Sequence, residues 1–180
     1  MKQFLYILGV AALLTVIYTS CKSTSLDTMR ADELVALDKY VKDNNLTANK
    51  DVSGIYFKTT IPSTDTTMIR SGFKVMCYFK ITLIDGTVVF TTEDSAGRNY
   101  EEFAFYVDIS NTVVNLQYVQ QIAGLHKGMK LMHVGETAFM VIPSELAFLA
   151  VDNSSFGVPR FSTLLATVYA KRAYSPAQQQ

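Results

Sequence analysis

Residues 126–148, "HKGMKLMHVGETAFMVIPSELAF", change period part-way along. They begin as the end of an amphipathic helix, turn at Val134-Gly135-Glu136, and leave as an apolar segment rich in Phe and Val that runs into a Pro-Ser turn. Three methionines and two phenylalanines lie in this stretch, without a nucleophile and base at any recognisable spacing. Upstream, from Leu116, the residues Val119, Ile122, Leu125 and Met129 recur every three or four positions, which predicts one helix ending near His133. Gly135 then belongs in the turn, at positive φ or in tight packing.

Strands surround this helix on both sides. "GIYFKTTI" (54–61), "FKVMCYFKITLI" (73–84), "TVVFTTE" (87–93) and "EFAFYVDI" (102–109) are β-branched and aromatic runs parted by turn residues, and "IDGT" at 84–87 is an Asp-Gly hairpin signal. "TAFMVIPS" (137–144) and "STLLATVYAKR" (162–172) return to strand after the helix. The order is strands, hairpin, helix, strand, long loop, strand. It predicts an α+β domain, an antiparallel sheet wrapped on one amphipathic helix.

The N-terminal region has a different character. "MKQFLYILGVAALLTVIYTSC" carries Lys2, an apolar run from Phe4 to Tyr18, and the small Thr19 and Ser20 before Cys21. That is the pattern of a signal peptide, too short for a comfortable span of about 20 apolar residues. Polar "KSTS" follows as a tether, and Asp27 to Asp43 reads as a short helix with Leu34, Leu37 and Val41 on one face, expected to pack on its own domain. "NNLTANKDVSG" marks a boundary near residue 50. The divisions are therefore 1–20 signal, 21–50 tether and helix, 51–172 main domain and 173–180 polar tail.

Charge and cysteine usage narrow the function. Lys+Arg and Asp+Glu each number 16 in 180 residues, with no basic run, so a duplex nucleic-acid partner is excluded. Cys21 and Cys77 are the two cysteines. Cys77 alternates within a strand and is expected to be a small buried hydrophobe. His126 and His133 lack an acid or thiol cluster and predict no metal site. No phosphate-cradling glycine loop or paired-carboxylate signature occurs.

The motifs "DGTVVF" (85–90), "IAGLHKGMKLMHVGE" (122–136), "IPSELAF" (142–148) and "GVPRFSTLLATV" (157–168) together resemble the FKBP-type peptidyl-prolyl isomerases over residues 52–172. The resemblance implies an FKBP-like sheet and helix, no cofactor, and X-Pro polypeptides as partners. With Cys21 placed as in a bacterial lipobox, the chain is similar to FKBP-type envelope lipoproteins, including those associated with gliding motility. This implies a monomer lipid-anchored through Cys21, facing the periplasm. The chemistry fits an apolar stretch without a catalyst. Turning an X-Pro bond moves no proton, and its barrier of about 18–20 kcal/mol is lost amide resonance, which an apolar bowl lowers by desolvating the amide.

Carried over by position, the bowl consists of Phe79, Phe90, Phe103, Ile122, Leu125, Phe148 and Val158. Phe79 is preferred to Tyr78 because Cys77, Phe79, Ile81 and Leu83 share the apolar face of their strand. Ile122 matches the residue whose backbone holds a substrate carbonyl. Leu125 replaces the usual tryptophan floor, Phe148 a hydroxyl-bearing tyrosine, Thr91 an acidic residue and Ala166 an aromatic. These exchanges predict a weak isomerase; the alternative is a non-catalytic module that binds a peptide or protein in a degenerate pocket.

Overall fold

The computed structural model describes residues 25–94, 96–99, 101–109, 118–153 and 157–179. The expected signal, Cys21 and Leu116 lie outside the described residues. Helix α1 (Leu26–Asp43) is followed by β1 (Tyr56–Ile61), β2 (Lys74–Leu83), β3 (Val88–Thr91) and β4 (Phe103–Tyr106). A 3-10 turn (Tyr118–Gln121) leads into α2 (Ala123–Met129), then β5 (Thr137–Ile142), a 3-10 turn (Ser144–Leu146) and β6 (Leu164–Tyr174). A last 3-10 turn covers Pro176–Gln178. The strands form one antiparallel sheet in the order β1-β5-β6-β2-β3, with β4 also paired to β2. The α+β expectation holds.

Alternation along β2 builds the two faces of the sheet. Val75, Cys77, Phe79 and Ile81 are buried, while Lys74, Met76, Tyr78 and Lys80 between them are half-buried. On β5 and β6, Met140, Ile142, Leu164 and Ala166 join the same core as α2, whereas Val141 and Leu165, pointing the other way, join Leu37, Val41 and Leu46. Helix α1 therefore packs on the sheet face opposite α2. Leu34 does not belong to its buried stripe, being 47% exposed. The third buried position is Glu33, one turn before Leu37, whose carboxylate is matched by donors described below.

The helix expected from 116 to 133 is shorter. All four of its predicted apolar residues are buried, but Tyr118–Gln121 is a 3-10 turn and Ile122 is the extended N-cap of α2 (φ −79, ψ 98). Spacings of three suit a 3-10 turn as well as an α-helix. Its end comes early because residues beyond Met129 are drawn into a bridge: Ile69 N–H donates to the Met132 carbonyl at 3.1 Å and Val134 N–H to that of Thr67 at 3.0 Å. His133 consequently lies in the turn and not on the helix with His126.

Two glycines bring α2 close to the sheet. A Cβ on Gly124 would lie 2.3 Å from Ile142 Cγ2, and one on Gly128 2.3 Å from Met140 Sδ, so neither position admits a side chain without repacking. Gly135 is in the turn with φ +81, and a Cβ there would meet Ser63 Oγ at 2.7 Å. Both parts of the sequence expectation for Gly135 are met. Its N–H donates to the Ala170 carbonyl at 2.6 Å, joining the turn to β6.

Candidate active site

Strand alternation sends Phe79 inward from β2, and β4, paired to the same strand, places Phe103 beside it. Their rings meet edge to face at 5.1 Å between centroids, a favoured aromatic geometry. Thr92 fixes the Phe79 backbone from both sides, accepting its N–H at 2.9 Å and donating to its carbonyl at 3.2 Å. Phe90 comes from β3, whose register follows the Asp85-Gly86 hairpin (Gly86 φ +89). Phe79, Phe90 and Phe103 converge on a cavity of about 350 Å³ that Val119 and Gln120 also line.

The other four expected bowl residues belong to the same apolar cluster but do not line this cavity. Ile122, Leu125 and Val158 are essentially inaccessible, and Phe148 is 9% exposed. Phe148 is carried by the loop after the Ser144–Leu146 turn, which closes on itself through Ala147 and Leu149 N–H groups donating to the Ser144 carbonyl at 3.0 and 2.8 Å.

One aromatic in this region had no signal in the sequence. Tyr118 stacks on Phe148 at 4.2 Å with 19° between planes and leans on Phe90 at 5.3 Å. It sits one residue outside the periodic series and at a position where the motif resemblance assigns no bowl residue.

Several polar groups around the cavity are already engaged. Thr91 lines it, and its hydroxyl accepts the Glu93 N–H at 3.0 Å. The Ile122 N–H, which the resemblance assigns to a substrate carbonyl, donates to the Val119 carbonyl at 3.2 Å. Gln120 is buried, and its amide pairs with the Tyr106 backbone, donating to the carbonyl at 3.1 Å and accepting the N–H at 2.7 Å. His126 braces the same turn from α2. Its Nδ1 accepts the Asp108 N–H at 3.0 Å, so Nε2 carries the proton and donates to the Gln120 carbonyl at 2.8 Å. On the rim, Glu102 bonds Lys171 and Arg172, and these hydrogen bonds hold its carboxyl below the usual range.

Cys77 is fully buried beneath this site, and desolvation pushes its thiol up to about 12. It is the small hydrophobe expected, not a nucleophile at neutral pH. Among the described residues, no group of three His, Cys, Asp or Glu side chains is placed to hold a metal ion. What remains is a hollow with three aromatic walls, edged by Thr91, Thr92, Glu101 and Glu102, suited to holding a planar apolar group while an amide rotates.

The sequence profile of the family described as FKBP-type peptidyl-prolyl cis-trans isomerase matches residues 65–169. No curated protein sequence matches the chain. Among solved structures, the fold is similar to FkpA from Escherichia coli, with TM-score 0.65 and 20% identity over 97% of this chain and 72% of that one. It is also similar to a peptidyl-prolyl cis-trans isomerase from Pseudomonas syringae, with TM-score 0.63 and 15% identity, covering 86% of this chain and 100% of that one. A third likeness is to the three FKBP domains of wheat FKBP73, with TM-score 0.57 and 24% identity over 69% of this chain and 48% of that one. At these identities the structures show a shared fold.

Proposed function

Because the chain belongs to the FKBP-type peptidyl-prolyl cis-trans isomerase family, we propose that it speeds cis-trans exchange of X-Pro bonds in exported proteins, weakly, from a lipid anchor in a bacterial envelope. The observation that carries the catalytic part is the convergence of the Phe79, Phe90 and Phe103 rings on one cavity beside the N-cap of α2. Uncatalysed exchange takes tens of seconds, so even a modest acceleration matters to folding chains. Weakness follows from missing or engaged handles. Phe148 has no hydroxyl, Thr91 no carboxylate, Ala166 no ring, and the Ile122 N–H must leave Val119 before it can hold a substrate carbonyl.

The anchor rests on residues 1–21 of the sequence, where Cys21 follows Thr19 and Ser20 after an apolar run. A diacylglyceryl thioether on Cys21 with further acylation gives stable attachment, which one chain alone does not. The protein acts as a monomer tethered on the periplasmic side. A binding module without turnover is the second reading, favoured by one observation: Tyr118 covers the Phe148 side of the bowl.

Magnetisation exchange of acetyl-Ala-Leu-Pro-Phe-amide with the chain from Lys22 onward tests the catalytic part. Acceleration that falls when Phe90 is changed to Leu supports it; no acceleration at high protein concentration leaves the binding module. For the anchor, Cys21→Ser must abolish labelled-palmitate incorporation, and continued incorporation would sink it.

A further inference from the structure

We propose that Glu33, on α1, is a positioning residue for the bowl: by holding the two stretches of chain that carry Phe148 and Val158, it sets the wall behind the aromatic cavity. The inference rests on the isomerase reading and concerns the same site. The carboxylate sits where β5 and β6 part. Ile142 and Leu164 are the last paired residues of these strands. Beyond them Pro143 has no N–H to continue the ladder, and Ser144 and Thr163 turn to Glu33 instead. Oε1 accepts the Ser144 N–H at 2.8 Å and the Thr163 hydroxyl at 2.9 Å, so one side-chain oxygen joins the two chains just past the end of their pairing. Oε2 accepts the Ser144 hydroxyl at 2.7 Å and a guanidinium N–H of Arg30, which also donates to Ser144 Oγ at 3.0 Å and reaches Glu145.

The stretches so held are under backbone constraint and lead to the cavity. Leu149 and Phe161 both have positive φ, +50 and +53, which residues with side chains adopt where their surroundings require it, and the Phe161 N–H donates to the Leu149 carbonyl at 2.7 Å. The Leu149 N–H donates to the Ser144 carbonyl at 2.8 Å, so a shift at Ser144 passes directly to the turn that bears Phe148. Phe148 stacks on Tyr118 at 4.2 Å, and Tyr118 packs at 5.3 Å on Phe90, which walls the cavity. Val119 and Gln120, the residues after Tyr118, line the same cavity. A continuous run of contacts therefore connects α1 to the cavity wall.

Stability alone does not account for a carboxylate in this place. Packed apolar residues hold a helix to a sheet as well as a buried ion pair or better, and Leu37 and Val41 already do so in one cluster with Val141 and Leu165. What Glu33 adds is direction, because its donors from Ser144, Thr163 and Arg30 are fixed around one rigid plane. Helix α1 also lies outside residues 65–169, so this hold on the bowl comes from an element beyond the segment that matches the family.

The test separates affinity from stability on the chain from Lys22 onward, which keeps every described element of the fold. Urea unfolding first fixes conditions under which each variant is folded. NMR then measures the dissociation constant of acetyl-Ala-Leu-Pro-Phe-amide and, separately, its exchange rate. A loop that keeps the binding arrangement for roughly a tenth of the time raises the apparent dissociation constant about tenfold, and this is the weakening expected of Glu33→Ala. Glu33→Gln, which keeps the acceptor for Ser144 and Thr163, restores affinity close to wild type. Leu37→Ala destabilises the packing of α1 and leaves affinity unchanged. Thr163→Val, which keeps the shape and loses the hydroxyl, weakens binding by about threefold and supplies the weakening arm should Glu33→Ala not fold. Wild-type affinity in Thr163→Val and in any folded Glu33→Ala, glutamine no better than alanine, or equal weakening by Leu37→Ala overturns the proposal. If wild type accelerates exchange in that case, the isomerase reading stands without it. If the affinity pattern holds and no variant accelerates exchange, Glu33 positions a binding site and the isomerase reading falls. Absence of peptide binding by wild type overturns both.

Discussion

Replacing Glu33 by alanine should cost far more than a helix-surface substitution. The side chain of Glu33 is 3% exposed and reaches from α1 to two segments far away in sequence. Oε1 accepts the Ser144 N–H at 2.8 Å and the Thr163 hydroxyl at 2.9 Å, while Oε2 accepts the Ser144 hydroxyl at 2.7 Å and a guanidinium N–H of Arg30. Ser144 and Thr163 are themselves buried, so alanine strands one N–H and two hydroxyls away from water. Each stranded donor costs about 1–3 kcal/mol, although the hydroxyls can turn toward other acceptors. Breaking a buried ion pair costs about 3–5 kcal/mol, but Arg30 is 20% exposed and keeps Glu145, so that part is discounted. The sum is roughly 3–5 kcal/mol, a large fraction of the stability of a domain this size. Glu33→Gln keeps the shape and one acceptor oxygen and should lose about 1–2 kcal/mol. Urea unfolding gives the magnitude, and amide exchange locates it: protection should fall first in residues 143–149, the loop that carries Phe148. A loss below about 1 kcal/mol for alanine, or unchanged exchange in that loop, would show that the network does not hold α1 to the site.

Two further outcomes follow from local geometry. Gly135→Val forces a β-branched residue to φ +81 with its Cβ against Ser63 Oγ, and should destabilise by about 2 kcal/mol or more in thermal unfolding; an unchanged Tm would contradict the turn's conformation. Glu102 has its pKa lowered by Lys171 and Arg172, so its contribution is complete above the ordinary glutamate value near ~4.3 and is lost as pH falls through the depressed one. Wild type should therefore exceed Glu102→Gln in stability at neutral pH and converge with it in acid, and a constant gap between pH 7 and pH 2 would count against the pairing.

Legibility in the sequence tracks how local the cause is. The faces of β2 were readable because burial there alternates residue by residue, and the choice of Phe79 over Tyr78 needed nothing else. The Asp85-Gly86 turn was readable because its constraint is a positive φ that glycine accepts freely. Glu33 was not, because a charged residue on an amphipathic helix reads as solvated unless its partners are known, and Ser144 lies 111 residues away. The same blindness made Leu34 look buried, since spacing alone cannot rank two neighbouring stripes when one is completed by a hydrogen-bonded carboxylate. His126 is a parallel case. Its ring joins Asp108, 18 residues before it, to Gln120, six before it, and no spacing rule connects these.

Tyr118 extends this reasoning from the core to the site. A bowl inherited through motifs is described by the residues that occupy the motif positions, and substitutions such as Leu125 and Ala166 then look like simple losses. Packing does not permit a simple loss, because a void of ring size forfeits contacts on every wall. Some neighbouring side chain has to fill it, and that side chain comes from whichever segment is near, under no periodic constraint. Here the turn leading into α2 supplies Tyr118, which stacks on Phe148 and packs against the core that contains Leu125 and Ala166. A reduced motif and an unexpected aromatic beside it are thus two sides of one packing requirement, and the capacity of the bowl depends on both.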